Sequence, residues 1–160
     1  MHAERLRSFL DSHHIPYSIT RHCTAHRARE VASAEHLPAW EVAKTIVILG
    51  DEKYHLVVIP ADRHIDLHEL KSAVGFRRVR LATETELGEL FRDCELGAVP
   101  PIGMLYGLPV YLDSDLANEP MISFSAGTHH ECMHMRMSDF RKLTFPTVVS
   151  LARVQTAGQG

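Results

Sequence analysis

The chain has 160 residues, 45% of them hydrophobic, and its 17 Lys and Arg against 20 Asp and Glu give a formal net charge of -3 with the 12 histidines neutral. This composition suits one domain with a substantial core and excludes disordered and collagen-like chains. No apolar run approaches the roughly 18 residues that a membrane-spanning helix needs, and the N-terminus lacks a signal-peptide pattern. We therefore expect a soluble, cytoplasmic protein.

The first half of the chain predicts two helices, a strand and a hairpin. Apolar residues at helical spacing predict a helix over about 3–12, and alternating apolar residues predict a strand over 15–19. Thr24 is expected to cap a second helix that continues to about Glu35. Two apolar runs, 45–49 and 54–60, flank a polar turn and predict a hairpin of two buried strands.

The second half alternates short helices with short strands. Thr83 and Glu86 have the spacing of a capping box, and Ser138 is expected to cap the last helix. Because these elements interleave irregularly, the predicted fold class is α+β with a mixed sheet, in one domain over residues 1–160 with a frayed tail from about 150. The expected elements are helices over 66–75, 87–91 and 139–143, and strands over 79–81, 109–112 and 121–125.

The three cysteines bear on the redox environment of the protein. Cys23, Cys94 and Cys132 are an odd number at wide spacing, which favours reduced thiols over a disulfide framework. None of the three lies in a recognisable nucleophile motif, so each is expected to be a small core or surface residue.

The segment His130-Glu131-Cys132-Met133-His134 matches the H-E-x-x-H signature of zinc hydrolases. That chemistry needs a helix, which places two histidines four residues apart on one face. Here apolar and polar residues alternate from Glu131 to Met137 with a period of two, which predicts a strand. A strand separates His130 from His134 by about 13 Å, too far to share one ion. We therefore favour a strand with a polar face and keep a zinc hydrolase that uses His130, Glu131 and His134 as the alternative.

Three further motifs occur in order along the chain. A lysine, Lys44, directly precedes the apolar run of the hairpin, a G-x-x-x-P-x-G loop follows, and a later strand ends in Ser-Ala-Gly. Together these motifs resemble the YbaK/prolyl-tRNA synthetase-associated editing domain family over residues 15–143. The resemblance implies a mixed β-sheet curled into a partly open barrel around a central pocket, with flanking helices. The residues of the loop and strand motifs are Gly97, Pro101, Gly103, Ser125, Ala126, Gly127, Thr128 and His129.

The resemblance also implies an activity and a set of site residues. The expected reaction is trans-acting hydrolysis of the ester of mischarged tRNA that carries a small amino acid, with tRNA-Pro bearing Ala or Cys as the expected substrate. Lys44 would lie near the terminal phosphate or ribose, and the loop would position the aminoacyl carbonyl through its backbone amides. The family pattern assigns Lys44, Gly97, Pro101 and Gly103 to catalysis and Thr45, Gly127, Thr128 and His129 to substrate binding.

Several points stay open from the sequence. His129, His130 and His134 lie within six residues, and any of them could face the pocket. Water, a substrate hydroxyl or a substrate thiol could attack the ester. The expected partners are the tRNA acceptor end and, as an option, an aminoacyl-tRNA synthetase, with no membrane, DNA, metal or cofactor. A non-catalytic tRNA- or synthetase-binding module is the remaining alternative.

The histidines also make the charge sensitive to pH. Full protonation of all 12 would carry the formal charge from -3 to +9, since -3 + 12 = +9. Mild acidification is therefore expected to strengthen binding of RNA, although the chain contains no Lys- and Arg-rich run that would favour generic nucleic-acid binding.

Overall fold

The computed structural model describes residues 2–21 and 42–154. Its helices are α1 (His2–Ser12), α2 (Leu67–Val74), α3 (Glu84–Leu90), α4 (Ser114–Ala117) and α5 (Met137–Thr144), with a short 3-10 helix at Gly103–Leu105. Its strands are β1 (Ser18–Thr20), β2 (Ala43–Gly50), β3 (Lys53–Pro60), β4 (Arg63–Ile65), β5 (Val79–Leu81), β6 (Val110–Asp113), β7 (Met121–Ser125), β8 (Cys132–Arg136), β9 (Thr147–Val149) and β10 (Ala152–Val154).

The described strands form three sheets. The largest has the order β5-β2-β3-β6-β9, in which β2 is antiparallel to β3 and β5 while β3, β6 and β9 run parallel. Strands β1, β8 and β7 form an antiparallel sheet, and β10 pairs with β4. The α+β class with mixed pairing is confirmed, but in the part of the chain described here the strands are divided among separate sheets and do not close into a barrel.

The hairpin β2–β3 is buried on both of its faces. One face packs into the larger core with Phe91, Phe124 and Phe140, and the other packs on a smaller cluster that includes Leu70 and Leu151. This two-sided burial explains why both strands are nearly continuous apolar runs in the sequence, without alternating polar residues. The predicted hairpin is therefore confirmed and forms the centre of the molecule.

Helix termini agree with the sequence in two cases out of three. Asp66 accepts a hydrogen bond from the Glu69 amide at the start of α2, and Gly75 ends that helix with a φ of 89°. Thr83 and Glu86 form both hydrogen bonds of the predicted capping box. The prediction for Ser138 is wrong, because α5 already begins at Met137 and its N-cap residue, Arg136, makes no side-chain capping bond.

Some elements differ from the predictions. Strand β1 lies at 18–20 and not at 15–19, and β10 pairs with β4 inside the segment expected to be frayed. Four short elements, β4, α4, β9 and β10, were not predicted, because three or four residues are too few to show a period. The helix expected from Thr24 to Glu35 lies outside the described residues.

The cysteines do not all behave as expected. Cys94 is a free thiol, whereas Cys132 is fully buried and disulfide-bonded. The expectation of three reduced cysteines is therefore wrong for Cys132, and Cys23 lies outside the described residues. Among the described residues, no helix is long and apolar enough to cross a membrane.

Candidate functional site

Two loops predicted to carry function, 95–103 and 126–130, lie against each other in the structure. The amide of Glu95 donates to the Gly127 carbonyl at 2.8 Å, and the amide of Gly127 donates to the Ala98 carbonyl at 2.9 Å. The imidazole of His129 adds a further link, since Nε2 lies 2.7 Å from the Leu96 carbonyl oxygen and must carry the proton. Residues about 30 positions apart in the chain thus form one unit.

Glu95 connects the two loops through its side chain. Its carboxylate accepts from the His129 amide at 3.1 Å and forms a hydrogen bond with Thr128, whose hydroxyl accepts in turn from the His130 amide. The Thr128 hydrogen bond, followed by the His129 amide and the nearby histidines, holds the pKa of Glu95 below its ordinary value against the effect of burial. Glu95 is therefore bound in its ionised form.

The loop glycines have different roles. Gly97 is exposed with a φ of 82°, a left-handed backbone conformation that favours glycine, and a Cβ there would make an ordinary contact with His129 Cε1 at 3.5 Å. Gly103 is buried, and a Cβ there would overlap the Leu108 carbonyl oxygen and stand 2.7 Å from Val110 Cγ2. Pro101 is buried between them. Gly97 thus presents its backbone to solvent, whereas Gly103 allows the loop to pack on the start of β6.

Backbone amides in this loop are available for a ligand. The amides of Glu95 and Ala98 have internal acceptors, but those of Gly97 and Val99 donate to no acceptor within residues 2–21 and 42–154. Gly97 is exposed, so its amide can be reached from solvent. Such donors are suited to stabilise negative charge on a carbonyl oxygen.

Lys44 is half-buried near the start of β2, opposite Ile59 of β3. Burial lowers the pKa of its ammonium group, and the Asp62 carboxylate partly offsets this effect. One oxygen of Asp62, Oδ1, is buried without a hydrogen-bond partner. Asp62 follows Ala61, whose amide donates to the Val42 carbonyl at 2.8 Å and so holds this turn against the beginning of β2.

The register places Lys44 and Thr45 on opposite faces of the sheet, because successive side chains of a strand alternate. Thr45 shares a face with Ala43 and Val47 of the larger core. Lys44 shares a face with Val42, which forms a parallel bridge to Ser123 of β7. The structure therefore does not bring the two predicted neighbours, Lys44 and Thr45, to one side.

His134 lies on the Lys44 face through this bridge, since it pairs with Ser123 in the antiparallel register of β7 and β8. Its Nδ1 lies 2.8 Å from Ser123 Oγ, and its Nε2 lies 3.1 Å from Thr20 Oγ1. The three histidines of the segment therefore have different surroundings. His129 contacts the loop at Leu96, His130 is exposed in a turn, and His134 contacts hydroxyl groups on the sheet.

The H-E-x-x-H segment is not helical. His134 lies within β8, as the alternation predicted, but the strand begins at Cys132, so His130, which lies in a turn, and Glu131 precede it. Glu131 forms an ion pair with Arg7 of α1 at 2.9 Å. Residues described in the structure include no group of three or more side chains placed to hold a metal ion. The helical geometry that the zinc-hydrolase alternative requires is therefore absent.

Cys94 lies beside the loop but is poorly suited to act as a nucleophile. Its Sγ is 3.2 Å from the Tyr106 hydroxyl, and burial raises the pKa of the thiol to about 11. Arg5 of α1 lies over the Tyr106 ring and forms an ion pair with Asp93 at 3.6 Å. This cluster fixes α1 to the segment that flanks the loop.

Comparison with known proteins identifies the family. The model of the aminoacyl-tRNA editing domain matches residues 22–143, which is most of the chain. The chain belongs to the aminoacyl-tRNA editing domain family. Membership confirms the predicted family and the predicted class of enzyme, a hydrolase that acts on aminoacyl-tRNA.

Individual relatives include a protein of similar length and a much longer ligase. The chain is 25% identical over 155 residues to the multifunctional Ser/Thr-tRNA deacylase ProXp-y of Escherichia coli K12, covering 94% of this chain and 92% of the relative. It is 28% identical over 105 residues to a proline–tRNA ligase of Bacillus cereus AH187, covering 66% of this chain and 18% of the ligase. The crystal structure of a candidate trans-editing enzyme for prolyl-tRNA synthetase superposes with a TM-score of 0.81 at 27% identity, covering 94% and 96% of the two chains.

Two residues of the candidate site were missed by sequence reasoning. Glu95 precedes the glycine loop without any motif of its own, and Asp62 looks like an ordinary turn residue after β3. No local pattern distinguishes either one, because their partners lie in distant segments of the chain. The only available signal for Glu95 was a charged residue two positions before Gly97, the first glycine of the loop motif.

Proposed function

We propose that the chain is a trans-acting deacylase that hydrolyses the ester of mischarged tRNA carrying a small amino acid. The observation that carries the proposal is the hydrogen-bonded unit of loops 95–103 and 126–130, which leaves the exposed Gly97 amide free. Family membership supports the reaction class. The amino acid and the tRNA are parts of the proposal, with Ala and Cys on tRNA-Pro expected from the sequence and Ser and Thr suggested by the E. coli relative.

The chemistry requires little of the protein beyond orientation and charge stabilisation. An aminoacyl ester is already activated, so attack by water needs an oriented carbonyl and stabilisation of the developing oxyanion. We assign the oxyanion contact to the amides of Gly97 and Val99, held in place by Glu95 and His129. Losing one such donor costs roughly 3 kcal/mol of transition-state stabilisation in comparable sites.

Lys44 is assigned to the terminal phosphate or ribose of the tRNA. Its ammonium is half-buried, so its attraction to a phosphate oxygen is less screened than that of a surface lysine. Thr128 and His129 hold the loop that carries Gly97, and Pro101 and Gly103 fix the path of that loop. We assign no step to a metal, and none to Cys94.

A deacylation assay tests the proposal. The protein is incubated with alanyl-, cysteinyl-, seryl- and threonyl-tRNA, including Ala and Cys on tRNA-Pro, and the release of amino acid is followed above the spontaneous rate. We expect release from at least one small-amino-acid ester and none from correctly charged prolyl-tRNA. Absence of release from every member, with protein in excess over substrate, would refute the proposed function.

The same assay tests the assignment of Lys44. Lys44→Ala is expected to lower the rate at least 100-fold, on the order of 3 kcal/mol, because the phosphate contact is lost. Lys142→Ala is the matched control, since Lys142 is an exposed lysine at the end of α5 and removes the same charge. An active Lys44→Ala protein would show that the contact belongs to another residue.

A further inference from the structure

A cleft of about 720 Å³ lies at the end of β2 farthest from Lys44. Its walls come from the β2–β3 turn and from the edge strand β5 with the residues that precede it. The lining includes Leu49, Asp51, Glu52, Arg77, Arg78 and Arg80. Three arginines within four residues make this the densest positive segment of the chain.

The backbone that carries these arginines is held rigidly. Oδ1 of Asp51 accepts from the amides of Arg77 and Arg78 at 2.9 and 3.0 Å, and the Asp51 amide donates to the Arg78 carbonyl at 3.0 Å. The ring of Phe76 packs on Gly50 so closely that a Cβ there would stand 2.7 Å from it. The cleft is thus formed before any ligand arrives.

The three arginines of the cleft differ in whether they have an ion-pair partner among the described residues. Arg80 is bound by both oxygens of Glu86, at 2.7 and 3.0 Å. Arg77 and Arg78 are exposed, and neither has an ion-pair partner in the described part of the chain. Two carboxylates oppose them in the cleft: Asp51, which is held by the backbone amides through one oxygen, and Glu52.

We propose that Arg77 and Arg78 bind phosphates of the tRNA strand close to its aminoacylated end. This inference rests on the proposed function, because it takes the terminal adenosine to lie at Lys44. Leu49 lies five residues after Lys44 along β2, which is roughly 17 Å, and on the opposite face of the strand. The nucleotides that precede the terminal one are within this range if the RNA passes around β5, the edge strand of the sheet. Arginine is suited to this contact because its planar guanidinium binds phosphate oxygens in pairs.

A purely structural role predicts a different behaviour. Charged residues on an edge strand also prevent strands of other molecules from pairing with it. In that case, replacing both arginines would promote self-association and leave the affinity for RNA unchanged. The two roles can therefore be separated by measuring binding and oligomeric state together.

The experiment uses uncharged tRNA and fluorescence anisotropy at several salt concentrations. The double variant Arg77→Ala, Arg78→Ala is compared with Arg141→Ala, Lys142→Ala, an adjacent exposed basic pair at the end of α5 that removes the same charge. We expect the first variant to bind about tenfold more weakly, and the slope of log K against log salt to fall by roughly 1 to 2. Glu52→Gln should tighten binding, because it removes one of the two opposing carboxylates.

Equal loss of affinity in the two double variants would overturn the proposal, and so would an unchanged salt slope in the first. A kinetic readout ties the cleft to the reaction. The ratio of kcat/KM for aminoacyl-tRNA to kcat/KM for aminoacylated adenosine 5′-phosphate, which lacks the preceding nucleotides, should fall in the cleft variant only. Binding of tRNA is measured without turnover, so the two proposals can fail separately. A wild-type protein that binds tRNA through this cleft but releases no amino acid would refute the proposed function and support the phosphate contacts of Arg77 and Arg78.

Discussion

Lys44 shows how a single residue can be placed by sequence while its properties are not. Its position directly before the apolar run of β2 marked it as a candidate site residue. Its half-burial and its neighbour Asp62 follow from the turn after β3, which the Ala61–Val42 hydrogen bond holds against β2. A side chain's charge environment depends on such distant contacts and leaves no local pattern.

The charge of Asp62 should control the titration of Lys44. Burial lowers the pKa of Lys44 and the Asp62 carboxylate partly restores it, so Asp62→Asn should lower the pKa of Lys44 further. The chain has only four lysines, so 13C NMR of their Cε atoms can follow Lys44 directly. Below its pKa the ammonium is present, so kcat/KM should begin to fall at a lower pH in the variant. Asp139→Asn is the control, and an unshifted Lys44 titration in Asp62→Asn would contradict the coupling.

At the scale of elements, short local signals were sufficient where the cause was itself local. The capping box at Thr83 and the glycine end of α2 depend on residues three or four positions apart, and both were predicted. Strands β4, β9 and β10 pair with partners far away in the chain, and the sequence did not predict them. The two candidate loops, 95–103 and 126–130, were each recognised by a motif, but the sequence did not predict the hydrogen bonds between them.

Gly103 should be required for packing of the loop. A Cβ at this position overlaps the Leu108 carbonyl, and backbone cannot yield as a flexible side chain can, so Gly103→Ala should lower the free energy of unfolding by about 1–3 kcal/mol. Gly88→Ala is the control, because a Cβ in helix α3 meets open space and should stabilise by up to about 1 kcal/mol. Urea unfolding measures both. Equal effects from the two substitutions would contradict the packing argument.

His55 of β3 should make the fold sensitive to acid. It is buried between Phe76 and Tyr111, its Nδ1 has no hydrogen-bond partner, and burial lowers its pKa below the ordinary 6.5. A lowered pKa means that the unfolded chain binds the proton more readily, so this contribution is complete above about pH 6.5 and is lost as pH falls through the folded-state pKa. His55→Phe should flatten the stability profile in that window. Urea titrations at several pH values test this prediction. His64→Ala, at an exposed position, is the control and should leave the stability profile unchanged.

At the scale of the whole molecule, the histidines determine how net charge follows pH. Protonation carries the formal charge from -3 toward +9, although buried His55 resists this change. We expect affinity for tRNA to rise between pH 7.5 and 6, measured by anisotropy at constant ionic strength. Affinity that stays constant over this range would mean that the titrating histidines lie away from the bound strand.

The sequence by itself determined the α+β class, the buried hairpin, the strand character of the H-E-x-x-H segment and the resemblance to the editing family. These follow from periodicity, capping and motif order, which are properties of neighbouring residues. Only the tertiary structure decided that Lys44 and Thr45 face opposite ways, that Glu95 joins the two loops, and that His129 and His134 have separate partners. Each of these depends on register or on contacts between residues far apart in the chain, and a shift of one residue in a strand would reverse the face on which a side chain lies.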